Sequence, residues 1–349
     1  MSATGTQYET AWSSPSNIAL VKYWGKRGEQ LPANPSISFS LNQALTQTAI
    51  KATETNTGKG ISIEFKFEGK RNEVFENKLK LFLEKAQRFF TWLDRVHLDI
   101  DSSNTFPHSS GIASSASAFS ALSLCLCDLH EKISGQALAD FKQTASYWAR
   151  IGSGSACRSV YGGFNLWGAC HDINESSDEY AVNIDHLVHP VFKNFCDTIL
   201  IVEKGSKAVS STAGHALLKA HPFAEIRYQT ARENTTKLLE ILGNGDLDAF
   251  IALVEYEALM LHALMMSSPT PFILMKPNTL AIIEKIKEFR NQTGTRLLFT
   301  LDAGANVHLL NPFDENLKVQ DFIQRELIGY CQNGAYLCNA VGSGPLKTK

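Results

Sequence analysis

The sequence is short of several things that would point elsewhere. It has no C-x-x-C pair and no histidine–cysteine cluster at metal-ligand spacing, so a structural zinc site is not expected. Its seven cysteines, at 125, 127, 157, 170, 196, 331 and 338, are odd in number and scattered, which fits reduced thiols rather than a disulfide framework. Charge of one sign is missing too: 33 Lys and Arg against 35 Asp and Glu leave a formal net charge of −2. That balance argues against a nucleic-acid partner, which needs a basic face, while leaving room for a local basic pocket. No run is expected to reach the length of a membrane span. The opening "MSATGTQYETAWSSPSN" lacks a basic stretch followed by an apolar one, so a cytoplasmic protein without a membrane partner is expected. There is no G-x-x-x-x-G-K-[ST] loop and no dinucleotide-binding pattern, which sets P-loop and Rossmann folds aside.

What is present is ample core material: 44% hydrophobic and 19% charged residues in 349, enough for two domains. The spacing predicts a short strand over 8–12, loop material through Pro15, Pro32 and Pro35, and three strands between 36 and 67. It predicts helices over 74–93 and 113–129, and a third over 134–150 capped by Ser134. The stretch "SSTAGHALLKAHPFAEIRYQTARENTTKLLEIL" is expected to be largely helical, with further helices in "DLDAFIALVEYEALMLHALMMSS", "NTLAIIEKIKEFRNQTG" and "ENLKVQDFIQRELIG", and strands in "FCDTILIVEKG", "TRLLFTLDAGANVHLL" and "YLCNAVGSGP". Paired strands alternating with helices suggest an α+β class in two layered units, divided near residue 190, with a cleft between them.

Two serine- and glycine-rich stretches invite anions. In "PHSSGIASSASAFSAL" the backbone N–H groups opening a helix lack intrahelical partners and the dipole favours negative charge, so Ser109, Ser110, Ser114 and Ser115 around Gly111 either cradle a phosphate or simply cap a tightly packed helix. In "GSGSACR", Ser153, Ser155 and Arg158 would meet one oxyanion if the segment opens a helix, or form a polar surface turn. Lys22 follows an apolar stretch and is expected to point inward. Asp302 ends an apolar strand just before a glycine, as a turn cap or as a base. Cys157 has no basic partner and is expected to be a packed thiol; His308 is expected to be structural.

Taken in order, "PSNIALVKYWGKR", "PHSSGIASSASAFSAL", "GSGSACRSVYGGF", "VSSTAG" and "LDAGANVHLL" resemble the successive signature segments of the diphosphomevalonate decarboxylase family, within the GHMP kinase superfamily of galactokinase, homoserine kinase and mevalonate kinase. The resemblance implies an N-terminal domain over 1–190 like the second domain of ribosomal protein S5, a ferredoxin-like C-terminal domain over 191–349, and an active site in the cleft between them. It implies ATP and Mg²⁺, a cytosolic homodimer, and conversion of (R)-5-diphosphomevalonate to isopentenyl diphosphate, CO2, ADP and phosphate. Carried over by position, Asp302, Lys22 and Arg158 are catalytic, and Tyr23, Ser153, Ser155, Arg158 and Ser210 bind substrate. Pro107, His108, Ser109, Ser110, Gly111, Ile112, Ala113, Ser114 and Ser115 form the ATP phosphate loop, Ser115 also facing the metal, and Asn17 fills the fixed position of the first motif.

The match departs at "PHSSG", where many members have threonine after proline and alanines before glycine, and at "DAGAN", where proline commonly follows the glycine. Neither touches Lys22, Arg158 or Asp302. Retention of these three favours decarboxylation over a mevalonate 3-kinase that stops at phosphorylation, and speaks against a non-catalytic nucleotide-binding module; the choice of the diphosphate over the monophosphate of a phosphomevalonate decarboxylase depends on hydroxyls and basic side chains beyond the motifs.

Overall fold

The computed structural model describes residues 5–55, 60–107, 112–205, 214–215 and 217–349. Strand β1 is Gln7–Ala19 and β2 is Ser36–Glu54, antiparallel along most of their length. Both outrun expectation. The short strand over 8–12 continues through Pro15, because a register shift between Pro15 and Asn17 absorbs the proline where no ladder bond is required of it. Two of the three strands expected between 36 and 67 are one, whose first part pairs with β5 (Phe164–Trp167) and whose second part pairs with β4 (Val96–Asn104). Strand β3 (Ser62–Phe67) lies parallel to β4, and β6 (Ala181–Asn183) pairs with β5.

Helices α1 (Glu73–Ala86), α2 (Ser114–Ser134) and α3 (Phe141–Gly152) cover one face of this sheet. The core beneath them joins Ile50, Phe65, Leu98 and Ile100 of the sheet to Phe82, Leu122, Leu126 and Trp148 of the helices. The expected start of α3 moves. Ser134 closes α2, Gly135 behind it takes the left-handed conformation that ends a helix, and Asp140 caps α3 by accepting the N–H of Gln143 at 2.8 Å. The expected helix over 74–93 stops at Ala86 and resumes as a 3₁₀ turn at Thr91–Asp94. Two serines inside α2 bond the sheet: Ser117 bonds Thr46 and Ser120 bonds Ser14, both at 2.6 Å. These two small hydroxyl side chains let the helix lie close against the strands while satisfying their own polarity.

A second, four-stranded antiparallel sheet is ordered β8–β9–β7–β10, from β7 (Cys196–Leu200), β8 (Leu298–Leu301), β9 (Val307–Asn311) and β10 (Tyr336–Ala340). Around it pack α4 (Ala224–Asn244), α5 (Leu247–Met266), α6 (Pro277–Thr293) and α7 (Asn316–Phe322), the last running on into a π-helical turn. The segment after β10 returns to the first sheet as β11 (Leu346–Lys347), which pairs with Trp12 and Ser13 of β1.

A shared core ties the two sheets together, with Ile18, Phe39 and Phe164 on one side and Ile199, Phe250 and Leu310 on the other. The expectation that no run reaches the length of a membrane span fails at α5, a 20-residue helix that contains an 18-residue window with a mean hydropathy of 1.6. The helix is apolar because it is a core element, with 56% of that window buried in the fold. His308 is structural as expected, its Nδ1 lying 2.8 Å from buried Asp197.

Candidate active site

A cavity of about 490 Å³ opens where β1 leaves the first sheet, between the two sheets. Lys22 lies three residues beyond β1 with its side chain 2% exposed. Its Nζ donates to the carbonyl of Ala19 at 2.6 Å and to Asp302 Oδ1 at 3.4 Å. Burial lowers the affinity of this amine for its proton, and the charges of Asp302 and Glu257 pull the other way. Asp302 follows β8 directly, so the pair joins residues 280 positions apart from opposite sheets.

Arg158 lies in the 3₁₀ helix Gly154–Val160, opened by Ser153 as the sequence allowed. It is 2% exposed, and no ion pair among the described residues includes it. Its Nη1 donates to Ser36 Oγ and its Nη2 to Asn17 Oδ1, the latter at 3.2 Å, while the buried Nε has no hydrogen-bond partner. Asn17 is fixed in turn by Ser159 Oγ at 2.7 Å. A buried guanidinium held by neutral groups, with donors left unspent, is a receptor for a carboxylate or phosphate oxygen.

Around the cavity, Lys22, Lys26, Lys78, Lys85 and Arg158 face a single carboxylate, Asp302, among the described residues. That excess of positive charge suits a polyanion. Ser153, Ser155, Ala113 and Ser115 also line the cavity, and the hydroxyls of Ser115 and Ser153 are 3.2 Å apart, so the two serine-rich stretches converge. Ala113 adopts a left-handed backbone at φ 46° as it enters α2, a conformation seldom tolerated outside glycine. Pro107, Ile112 and Ser114 are not among the lining residues; Ile112 is a core residue whose carbonyl accepts Ser16 Oγ at 2.6 Å. His108, Ser109, Ser110, Gly111 and Ser210 lie outside the described residues. Cys157 is fully buried and its thiol is pushed up to about 12 by that burial, which makes it packing.

Tyr23 and His215 form an aromatic wall. The rings lie 4.5 Å apart, Trp167 sits 4.6 Å from Tyr23, and the buried Tyr23 hydroxyl has no hydrogen-bond partner. His215 Nδ1 accepts the N–H of Gly25 at 2.9 Å, and burial holds its imidazole down at about 3.

Several residues of the site had no motif to announce them. Glu257 Oε2 accepts the Lys22 N–H at 2.9 Å and forms a fully buried ion pair with Arg227. Asn34 and Arg227 both donate to the Lys22 carbonyl, and His262 Nε2 is 3.1 Å from the carbonyl of Asp302. The available signal was a glutamate and a histidine inside the long apolar run of α5, since a charge in a buried helix needs a partner. Chemically, the arrangement can accept a proton from a bound hydroxyl at Asp302, beside fixed positive charge and within reach of a guanidinium.

Residues 14–181 match the family model for the diphosphomevalonate decarboxylase-like N-terminal domain, and residues 198–338 match that for the mevalonate 5-diphosphate decarboxylase C-terminal domain. A diphosphomevalonate decarboxylase of Ganoderma lucidum is 30% identical over 334 residues, spanning 90% of this chain and 81% of its own. The fold is similar to the crystal structure of mevalonate diphosphate decarboxylase from Staphylococcus aureus, with a TM-score of 0.85, 26% identity and 99% of both chains covered. It is also similar to a protein designated MDDEF, solved in complex with MVAPP, AMPPCP and magnesium, with a TM-score of 0.82, 26% identity, and 99% and 100% of the two chains covered.

Proposed function

The chain belongs to the diphosphomevalonate decarboxylase family, and from that premise we propose that Asp302, Lys22 and Arg158 carry the family reaction in it. The reaction is ATP-dependent conversion of (R)-5-diphosphomevalonate to isopentenyl diphosphate, CO2, ADP and phosphate. The observation that carries the assignment is the 3.4 Å pair of Lys22 and Asp302 at the wall of a cation-lined cavity that also holds Arg158.

Asp302 accepts the proton of the substrate's C3 hydroxyl as that oxygen attacks the γ-phosphorus of ATP and ADP departs. Lys22 offsets charge on the transferring oxygens. The C3 phosphate is then a good leaving group. As its C–O bond breaks, the C1–C2 bond pair becomes the C2=C3 double bond and C1 leaves as CO2. Arg158 orients the C1 carboxylate; Ser36 and Asn17 hold its Nη1 and Nη2 in place, and its Nε–H is among the donors left to meet the substrate.

Tyr23, Ser153, Ser155 and Ser210 serve the substrate's diphosphate, and the loop 107–115 serves the triphosphate. Magnesium fits a donor set of hydroxyls with few carboxylates, since it keeps several waters and binds largely through substrate phosphates; Ser115 would hold it, and when bound it neutralises charge on those phosphates. We place the domain division near residue 190 and take the protein as a cytosolic homodimer that binds neither nucleic acid nor membrane.

The test follows labelled CO2 from C1-labelled 5-diphosphomevalonate with ATP and Mg²⁺, alongside ADP. Equal amounts of CO2 and ADP are expected from the diphosphate and little from 5-phosphomevalonate; ADP without CO2 would make the protein a 3-kinase. Asp302→Asn is expected to lower turnover by about 10²–10⁴-fold with ATP binding retained, and normal turnover would sink the assignment.

A further inference from the structure

Helix α5 grips both members of the reacting pair, yet carries neither. Glu257 Oε2 takes the backbone N–H of Lys22 at 2.9 Å. The same carboxylate receives Arg227 Nη1 and Nη2 at 2.7 and 2.6 Å and Asn234 Nδ2 at 2.6 Å. Arg227 then donates to the Lys22 carbonyl at 3.0 Å, so both backbone polar groups of this one residue close on an ion pair whose side chains are 0% exposed. Five residues further along α5, about 7.5 Å at the helical rise, His262 Nε2 meets the Asp302 carbonyl at 3.1 Å. A carbonyl only accepts, so Nε2 carries the imidazole proton and donates it.

We propose that Glu257, Arg227 and His262 are positioning residues: α5, through Glu257 and His262 and with Arg227 of α4 completing the grip on Lys22, fixes the main chain of Lys22 at one point and of Asp302 at another and so sets the separation of their charged groups. This rests on the roles given to Lys22 and Asp302 above. The physical case is that Lys22 lies beyond the end of β1, where its own N–H and carbonyl have no strand partner, and Asp302 lies in the turn after β8. Each belongs to a different sheet, and α5 is bonded to the main chain of both. A buried ion pair is a poor device for stability alone, because an apolar pair of like volume commonly serves as well. What it provides here is a fixed acceptor and a fixed donor 2.9 and 3.0 Å from one peptide. Misplacement of reacting groups by about 1 Å costs on the order of 100-fold in rate.

The experiment compares His262→Phe, His262→Gln and Glu257→Gln with the parent and with Asp302→Asn in the full chain, measuring kcat, KM for each substrate and the thermal midpoint. His262→Phe is expected to lower kcat about 10- to 100-fold while both KM values stay within about twofold. His262→Gln, whose amide N–H reaches the same carbonyl, is expected to recover most of that loss, which a purely space-filling role would not produce. Glu257→Gln is expected to lower kcat with the same small change in KM. If it strands too much charge to fold, the double variant Arg227→Met/Glu257→Gln removes both charges and is expected to fold and turn over slowly. The proposal is overturned if His262→Phe keeps its kcat, if His262→Gln is as slow as His262→Phe, or if the charge-free double variant turns over like the parent. Asp302→Asn separates the two readings: if it remains active the role of Asp302 fails, whereas a dead Asp302→Asn beside a fully active His262→Phe defeats the positioning role alone.

Discussion

The Tyr23 hydroxyl is buried without a hydrogen-bond partner, a state that costs about 1–3 kcal/mol. Such a cost is tolerable where a ligand oxygen completes the bond. Tyr23→Phe is therefore expected to move two quantities in opposite directions: unfolding stability rises by about 1 kcal/mol, read by urea titration, while the KM for the diphosphate substrate rises. If both stability and affinity fell, the tyrosine would be a packing residue. The two site histidines give the protein an acid limit. Burial holds His262 at about 4 and His215 at about 3, below the ordinary 6.5. Below pH 6.5 the unfolded chain thus binds protons that the folded chain refuses. Their stabilising contribution is complete above pH 6.5 and is lost as the pH falls toward those folded values. Between pH 7 and 5 each is expected to remove about 2 kcal/mol, from about 1.4 kcal/mol per pH unit. Urea unfolding at the two pH values measures the loss, and His262→Gln is expected to remove about half of it.

At the scale of elements, the meeting of the two serine-rich stretches depends on how tightly α3 crosses α2. Gly152 ends α3, and a Cβ there would lie 2.0 Å from the ring of Phe119 on α2. Gly152→Ala is expected to cost about 1–3 kcal/mol in urea unfolding. It is also expected to raise the KM for ATP, because spreading the helices parts Ser153 from Ser115; an unchanged KM would separate the crossing from nucleotide binding. Much of this layer was legible in advance. Helices α2, α5 and α6 follow from their apolar content, and Asp302 at the end of a strand before glycine follows from local pattern. The lengths of β1 and β2 were not legible, because Pro15 and the register shift beside it look like loop. The start of α3 was missed because Ser134 and Asp140 are both good caps, and only Gly135, closing α2, decides between them. The Lys22–Glu257 contact spans 235 positions; a pairing of that separation leaves no periodic trace in sequence, so the buried grip on Lys22 required the fold.

At the scale of the whole molecule, neither sheet stands by itself. The core formed by Ile18, Phe39 and Phe164 is completed by Ile199, Phe250 and Leu310 from the other half, and β11 leaves the second half to pair with β1, where Lys347 Nζ reaches Asp128 Oδ1 at 2.6 Å. A fragment of residues 1–190 exposes that core and one edge of β1. It is expected to aggregate when expressed alone, whereas co-expression with 191–349 restores a soluble complex with measurable CO2 release; gel filtration and the activity assay check both. A soluble, cooperatively unfolding 1–190 fragment would show the shared core to be dispensable.

The strand β11 has a wider consequence. Because a strand of the first sheet is encoded downstream of the whole second sheet, the halves are not interchangeable cassettes. Recombination that imports a foreign C-terminal half also imports a foreign strand into the N-terminal sheet, so grafting succeeds only where the Trp12–Ser13 edge and its partner are exchanged together.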